Sequence, residues 1–510
     1  MRSLAELELK LELTKPEMQR IGTDPALEAL TVGKPETSLL RSLYFDTPDH
    51  RLRAQGISLR LRSSGERSWV QTIKATNGAS DGIFDRRELE TTLATPEPDL
   101  EAIGDRRLRR KIARVSRTSS LEPLFETVVR RTIRKLHAEK GDLELAFDEG
   151  VVRAGKDEGE LCEAELELKA GSPACLLEVA TKLFASGSLR LARMSKADRG
   201  YNLLLGRQDQ SIVPRRALQP TLKGDESSAE ALALFVQSAN AQMVANRSVV
   251  LETDDPDGAH QLCIGLRRLR SALQAFRRLD DSSVLREIDR HAGELARAVD
   301  RLDDADMLIE DIFAAVAGRM KGDAGFSELR ESLAAHRVKV RDEVRQKLLG
   351  GLWSKLQLYV ALWSRIFAEN SSLRTPVRDF APLALSKGWK KLARLGSAAD
   401  RLSIDERRAL RKALKKFRYT VECFASLHAE REVAGFIKEL KKLRDVLRPS
   451  NEAATAQQLT SIARETRPAS LEAQRAAGYV VGWHDAHGAQ RTSTVSKAWR
   501  RLEKRSRFWN

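Results

Sequence analysis

Two segments of the chain repeat each other, Glu6-Leu7-Glu8-Leu9-Lys10 and Glu165-Leu166-Glu167-Leu168-Lys169. Each puts a charge at every second position, so in a strand the charges share one face and the leucines the other. The first runs on through Leu11-Glu12-Leu13, and the second follows Glu163-Ala164. Leu59-Arg60-Leu61-Arg62 uses the same scheme with cations, and Glu144-Leu145-Ala146-Phe147-Asp148 with carboxylates. For any one strand, an antiparallel sheet with a dry face and a wet face accounts for the pattern. A wet face, however, more naturally mixes charge signs with Ser, Thr and Gln, whereas here the signs are segregated strand by strand. That suits a closed sheet whose charged faces point inward. Its acidic walls hold a divalent metal through hard oxygen ligands, and its basic walls hold a multiply charged anion.

The elements that position these residues change character near residue 210. Before it the period is two. After about residue 228 the chain reads as long amphipathic helices rich in Leu, Ala, Arg and Lys. Ser211 to Pro220 and Gly224 to Ser228 carry the Pro, Gly and Ser of a linker. Ser227 or Ser228, followed by Glu230, suits the cap of the first helix. A length of 510 residues calls for two or three domains.

The helical half contains an internal duplication. His260-x-x-Cys263-x-x-x-Arg267-Arg268-Leu269-Arg270 aligns without a gap on Arg408-x-x-Arg411-x-x-x-Lys415-Lys416-Phe417-Arg418, and Phe276 and Phe424 fall in register beyond it. The first, fourth, eighth and eleventh positions of each copy share a helical face, so each copy presents a basic stripe. A solvated surface explains one such stripe; the same stripe twice points to a purpose.

The formal net charge of +16 calls for a polyanionic partner, and nucleic acid, anionic membrane and polyphosphate all fit it. Aromatic residues make up only 5%, which disfavours stacking on nucleic-acid bases. No apolar run approaches a membrane span. The N-terminal Met1-Arg2-Ser3-Leu4-Ala5-Glu6 meets a charge where a signal peptide keeps its apolar run, so a cytoplasmic protein is expected. The four cysteines show no CxxC pairing, which argues against a zinc site or a disulfide framework. No GxxxxGK[ST] loop occurs. Trp483-His484-Asp485-Ala486-His487 lacks the further ligands of a zinc site, and Asp303-Asp304-x-Asp306 lacks the glycine and terminal glutamate of an EF-hand loop.

Residues 1–206 resemble the CYTH domain, or triphosphate tunnel metalloenzyme. The resemblance rests on Glu6-x-Glu8-x-Lys10, Tyr44-Phe45-Asp46-Thr47-Pro48-Asp49, Leu52, Gly56, Leu59, Arg60, Arg62 and Lys74. It continues through Arg86-x-Glu88-x-Glu90, Arg131, Glu144 to Asp148-x-Gly150, Glu165-x-Glu167-x-Lys169 and Ser195-Lys196-Ala197-Asp198-Arg199-Gly200-Tyr201. It implies an antiparallel eight-stranded β-barrel forming a tunnel. It implies Glu6, Glu8, Asp148, Glu165 and Glu167 as ligands of Mg²⁺ or Mn²⁺, with Glu6, Glu8 and Lys10 at the centre of catalysis. It also implies Lys10, Arg60, Arg62, Lys74, Arg131 and Lys196 on the phosphate oxygens, with Arg130 as an alternative to Arg131 and with Arg86 and Glu88 shaping the basic end.

Residues 228–510, beyond a linker at 207–227, resemble a CHAD domain. That family has two related four-helix bundles whose basic helices bind inorganic polyphosphate. Asp306, Asp445, Asn451 and the closing Phe508-Trp509 fit it; Cys263 and Ala305 stand where the family often carries Arg. The implied polyphosphate contacts are His260, Arg267, Arg270, Arg408, Arg411, Lys415 and Arg418. The fold class expected is thus α+β, a barrel followed by an all-α domain. The expected activity is metal-dependent hydrolysis of inorganic triphosphate to diphosphate and phosphate, in a cytoplasmic protein associated with polyphosphate granules. Thiamine triphosphatase and adenylate cyclase of the CYTH type use the same residues and stay as alternatives. So does a non-catalytic polyphosphate binder, although such a receptor gains nothing from acidic walls.

Overall fold

The alternating segments do become strands. A computed structural model describes residues 7–509 except 64–67, 77–85, 118, 185–186, 188–189, 193, 207–211, 367–370, 400, 466–469 and 490–491. It holds β1 (Leu7–Glu12), β2 (Thr31–Asp46), β3 (Ile57–Ser63), β4 (Trp69–Thr76), β5 (Arg86–Leu93), β6 (Glu122–Ala138), β7 (Gly141–Ala154), β8 (Asp157–Gly171) and β9 (Arg190–Leu191). They form one sheet in the order β5-β4-β3-β2-β6-β7-β8-β1-β9, and every pairing is antiparallel. The structure corrects the expected closed barrel of eight strands on two points. A two-residue ninth strand lies against β1, and among the described residues the sheet is open between β5 and β9.

Helices α1 (Lys15–Gly22), α2 (Pro25–Glu28), α3 (Arg51–Ala54), α4 (Arg106–Ser116), α5 (Pro173–Phe184) and α6 (Lys196–Leu204) complete the chain to residue 206. The leucine face of the strands is their docking surface. Leu59, Leu61 and Ile73 pack with Ile103, Ile112 and Val115 into one apolar cluster. α5 buries Leu176, Leu177, Val179, Ala180 and Leu183 and packs on β8.

One buried carboxylate ties three elements together. Asp46, at the end of β2, is fully buried. It accepts hydrogen bonds from the backbone N–H groups of Thr47 (2.7 Å), Leu52 (2.7 Å) and Arg53 (3.0 Å), and from the Tyr201 hydroxyl (2.7 Å). It thereby satisfies the start of α3 and fixes α6 against the sheet. The Tyr44-Phe45-Asp46-Thr47-Pro48 segment and the distant Tyr201 therefore belong to one motif.

The second compact unit is helical: α7 (Ser228–Glu252), α8 (Pro256–Phe276), α9 (Ser283–Met307), α10 (Ala314–Ala317) and α11 (Ala324–Leu349), with a π-helical turn, Leu308–Phe313, after α9. α12 (Gly351–Ile366) follows. Then come α13 (Val377–Gly396), α14 (Ile404–Cys423), α15 (Glu430–Val446), α16 (Arg448–Ala456), α17 (Gln458–Glu465), α18 (Leu471–Ala489) and α19 (Thr492–Glu503). Ser227 caps α7 in a reciprocal box with Glu230, as its sequence predicts. The first unit comprises residues 1–211 together with 349–366, so α12 belongs with the sheet and packs on α5. No helix among the described residues is long and apolar enough to cross a membrane.

Removing the Tyr201 hydroxyl leaves Asp46 three N–H donors, whereas removing the carboxylate strands four. Tyr201→Phe is expected to cost about 1–2 kcal/mol and Asp46→Ala about 3 kcal/mol or more, read from thermal unfolding.

Candidate functional site

Strand register decides which charges meet. Arg131 pairs with Asp148, Asp148 with Glu163, Glu165 with both Ala146 and Lys10, and Glu167 with both Glu144 and Glu8. Directly paired residues point to the same side of a sheet, so all of these share one face. The same face continues through Ser38, Ser42 and Tyr44 of β2 to Arg60 and Arg62 of β3 and Thr72 and Lys74 of β4. Arg130 is on the opposite face and exposed, whereas Arg131 lies on the charged face. Glu6 lies outside the described residues, as do the side chains of Arg86 and Glu88.

At one end of this face α6 acts as a plug. Ser195 caps it, accepting from the Asp198 N–H, while Asp198 accepts from the Ser195 N–H. Gly200 is required by contact, since a Cβ there would lie 2.1 Å from the Phe125 ring. Tyr201 meets Phe125 edge-on at 5.0 Å, and Phe125 stacks on Tyr44 at 4.8 Å. Docked this way, the helix delivers Lys196 and Arg199 from its first turn.

Lys196 enters a knot of buried charge. Its Nζ lies 2.8 Å from Asp148 Oδ2, 2.9 Å from Glu163 Oε2 and 2.9 Å from Glu165 Oε1. Arg131 forks onto Asp148 at 2.7 and 2.6 Å and reaches Glu165 Oε2 at 2.5 Å. Lys10 Nζ is 2.6 Å from Glu165 and 3.2 Å from Glu8. Arg199 bonds Glu12 at 2.7 Å, and its Nε lies 3.2 Å from Glu163 Oε1 without hydrogen-bond alignment. Glu163 Oε1 is therefore a buried carboxylate oxygen with no hydrogen bond.

These contacts set the protonation states. Burial alone pushes the Glu165 carboxyl up, but Lys10, Lys196 and Arg131 together hold it well below the usual range. Asp148 is lowered in the same way, with Lys196 and Arg131 overcoming burial. Lys10 and Lys196 are raised, their burial outweighed by the carboxylates, Glu165 foremost. Glu8 is raised by its burial and by Glu165, against the pull of Lys10 and Lys74.

Asp148, Glu163 and Glu165 each offer an oxygen within 4.8 Å of the others. An all-carboxylate set, buried and with one oxygen unbonded, fits a hard divalent cation. Of the metal ligands implied by the sequence, Asp148 and Glu165 meet here, whereas Glu8 and Glu167 lie in a row with Glu144 and pair with Lys10 and Lys169. Glu163 was missed. The alternation Glu163-x-Glu165-x-Glu167 signals three acids on one face, but only the pairing of Glu163 with Asp148 selects among them.

Residues 4–201 match the model of the CYTH domain, and residues 235–461 match that of the CHAD domain. The chain carries a CYTH domain followed by a CHAD domain. An inorganic triphosphatase from Haemophilus influenzae is 31% identical over 203 residues, 39% of this chain and 55% of that protein. The chain thus spans about half the length of this curated relative. The crystal structure of the CHAD domain from the plant Ricinus communis is similar in fold, with a TM-score of 0.51 at 21% identity. The match covers 56% of this chain and 96% of that one.

Within the CHAD domain the duplicated helices α8 and α14 pack together. Phe276 and Phe424, which end the two copies, meet at 5.8 Å beside Phe235 and Phe380. His260, Arg267, Arg408 and Lys415 gather around three aspartates of α9, and Arg411 lies beside Arg267 and Lys415. His260 Nδ1 lies 2.9 Å from Asp303, Arg267 lies 2.7 Å from Asp300, and Arg267 and Arg408 both act on Asp304. Burial first, then Arg267 and Arg411, push Lys415 down to about 8. Burial together with Asp303 and Asp300 pushes Asp304 up to about 6. Arg270 and Arg418 point elsewhere, pairing with Asp289 at 2.8 Å and Glu422 at 3.1 Å. Cys263 is buried and donates to Asp300 at 2.8 Å, and Ala305 is also buried.

The set-aside motifs have structural roles. His484 is buried, 3.0 Å from the Ile312 carbonyl in the π-helical turn, and His487 stacks on Trp483. Asp306 lies 2.5 Å from Arg337 and is not in a calcium loop. Asp445 pairs with Arg444, and Asn451 lies within α16.

The signs of the shifts give a pH profile for the CYTH domain. Asp148 and Glu165, held low, add stability that is lost as pH falls through their lowered values. Lys10 and Lys196, held high, add stability that is fully present below 10.5 and lost as pH rises through their raised values. Glu8 has the opposite sign, because its ionisation opposes folding. Thermal unfolding at pH 7 should show Glu8→Gln as stable as the wild type or more so. Glu165→Gln, which strands three cations, should lose about 3–5 kcal/mol.

Proposed function

We propose that the CYTH domain hydrolyses inorganic triphosphate to diphosphate and phosphate with Mg²⁺ or Mn²⁺, and that the CHAD domain binds inorganic polyphosphate. The observation that carries the first part is the meeting of Asp148, Glu163 and Glu165 with Lys10, Arg131 and Lys196 on one buried face. The similarity to a protein named inorganic triphosphatase supports the choice of substrate.

Asp148, Glu163 and Glu165 hold the metal, with Glu8 and Glu167 as neighbouring acids on the same face and Glu6 as a further candidate on the segment that precedes it. When bound, the metal supplies charge neutralisation at phosphate oxygens and a water of lowered pKa. The chain's own residues do the rest. Lys10, Arg131 and Lys196 exchange carboxylates for phosphate oxygens, and Arg60, Arg62 and Lys74 on β3 and β4 take the other end of the anion. Arginine forks orient phosphate in two directions at once, and lysines act as point charges. Phosphoryl transfer needs chiefly orientation and charge stabilisation, which a rigid, pre-charged sheet supplies. Water attacks one terminal phosphorus, and the bridging P–O bond breaks to leave diphosphate.

Phosphate release from inorganic triphosphate, thiamine triphosphate and ATP, with Mg²⁺, Mn²⁺ or EDTA, tests this reading. Metal-dependent release greatest with inorganic triphosphate, and lowered at least ~10-fold in Glu163→Gln, is expected. Full activity of that variant, or preference for either other substrate, contradicts the assignment.

The CHAD cations hold phosphate as charges, so Lys415 must be protonated to contribute. With its value near 8, polyphosphate affinity should fall as pH rises from 7 to 9. Lys415→Arg, whose cation does not titrate there, should flatten that fall in a binding titration. An equal fall in the variant would remove Lys415 from the site.

A further inference from the structure

α4 reads Arg106-Arg107-Leu108-Arg109-Arg110-Lys111-Ile112-Ala113-Arg114-Val115-Ser116, with Arg117 as its C-cap. At 100° per residue, Arg106, Arg107, Arg110, Lys111, Arg114 and Arg117 fill one continuous arc of about 140°. All six are exposed. Leu108, Ile112 and Val115 lie opposite and anchor the helix to the outer face of β3 and β4, with Ile112 fully buried.

This face lacks the compensation seen elsewhere. Among the described residues no carboxylate pairs with any of the five arginines. Among those residues Lys111 reaches the Gln55 carbonyl, at 3.2 Å. The nearest acids in sequence are engaged: Glu101 pairs with Arg109 on the flank at 2.9 Å, and Asp105 caps the helix through the N–H groups of Arg107 and Leu108. The helix contains no acid of its own. Six like charges along about 16 Å repel one another and call for a multivalent anion.

The occupant's chemistry follows from what the face omits. It carries no aromatic side chain on which a base stacks and no amide to read a base edge, so it offers nothing for the bases of nucleic acid. Its apolar side is already buried in the sheet, so nothing is left to enter a lipid surface. Arginine forks in a row suit bare phosphoryl oxygens. We infer that the exposed face of α4 is a docking site for inorganic polyphosphate, separate from both the charged inner face of the sheet and the duplicated helices. The choice of polyphosphate over other polyanions rests on the function proposed above; the unpaired patch does not.

The test uses the full-length chain in EDTA, so that no turnover occurs, with labelled long-chain polyphosphate as probe. In an Arg267→Gln/Arg408→Gln/Arg411→Gln/Lys415→Gln background the central CHAD cations are removed and binding to α4 should remain. Adding Arg107→Gln/Arg110→Gln/Arg114→Gln should then weaken it at least ~10-fold. By analogy with single-stranded nucleic acid, the slope of log affinity against log salt should also drop by about 2. Triphosphate hydrolysis and melting temperature should be unchanged by the α4 substitutions, since these residues face solvent. No residual binding in the CHAD background overturns the inference. So does residual binding that the α4 substitutions leave intact, or RNA of matched charge displacing polyphosphate at lower concentration. Because capture is read without metal, loss of hydrolytic activity on every substrate would sink the proposed reaction and leave this result standing.

Discussion

Buried charge on one face of a sheet is the constraint from which the rest of this CYTH domain follows. Lys196 alone touches three carboxylates within 2.9 Å, and Arg131 and Lys10 close the remaining contacts. An isolated buried ion of either sign costs several kcal/mol, so neither set is tolerable without the other. The leucine face of each strand anchors the array to the covering helices. The plug helix exists to deliver two cations to it, and the Asp46–Tyr201 bond fixes that helix. Stability and the proposed chemistry thus draw on the same groups.

The strands and their facing were legible from alternation alone, because a period of two admits one arrangement of Leu and Glu across a sheet. Register was not. Arg130 and Arg131 are indistinguishable in sequence, and the β6–β7 pairing separates them by facing Arg131 to Asp148. Likewise Glu163, Glu165 and Glu167 form one acidic series, and the placement of Asp148 opposite Glu163 marks the inner pair. Closure depends on the strand edges, where Arg190 and Leu191 form a strand too short for its Leu189-Arg190-Leu191 alternation to mark it out.

In the helical half the duplication was legible and its consequence only partly so. A single face predicted from 0, 3, 7 and 10 spacing holds Arg267 with Lys415 and Arg411, yet Arg270 and Arg418 turn to Asp289 and Glu422. Long arginine side chains follow the nearest carboxylate, so helical spacing fixes their origin and not their end. α12 is the clearest case of position misleading. It lies in sequence between the CHAD helices, yet buries Trp353, Leu356 and Leu362 in the unit built on the sheet.

In the proposed reaction the acidic trio and its cations form one linked site for metal and triphosphate. Each ligand releases the partners that the other needs, so their binding must be coupled. Free Mn²⁺ measured by electron paramagnetic resonance during titration into the full-length chain, with and without saturating triphosphate, tests this most directly, after correction for the Mn²⁺ that triphosphate binds in solution. Uptake of Mn²⁺ should strengthen at least ~5-fold when triphosphate is present, a coupling of about 1 kcal/mol or more. Equal affinity in both titrations, or no uptake in either, would contradict it.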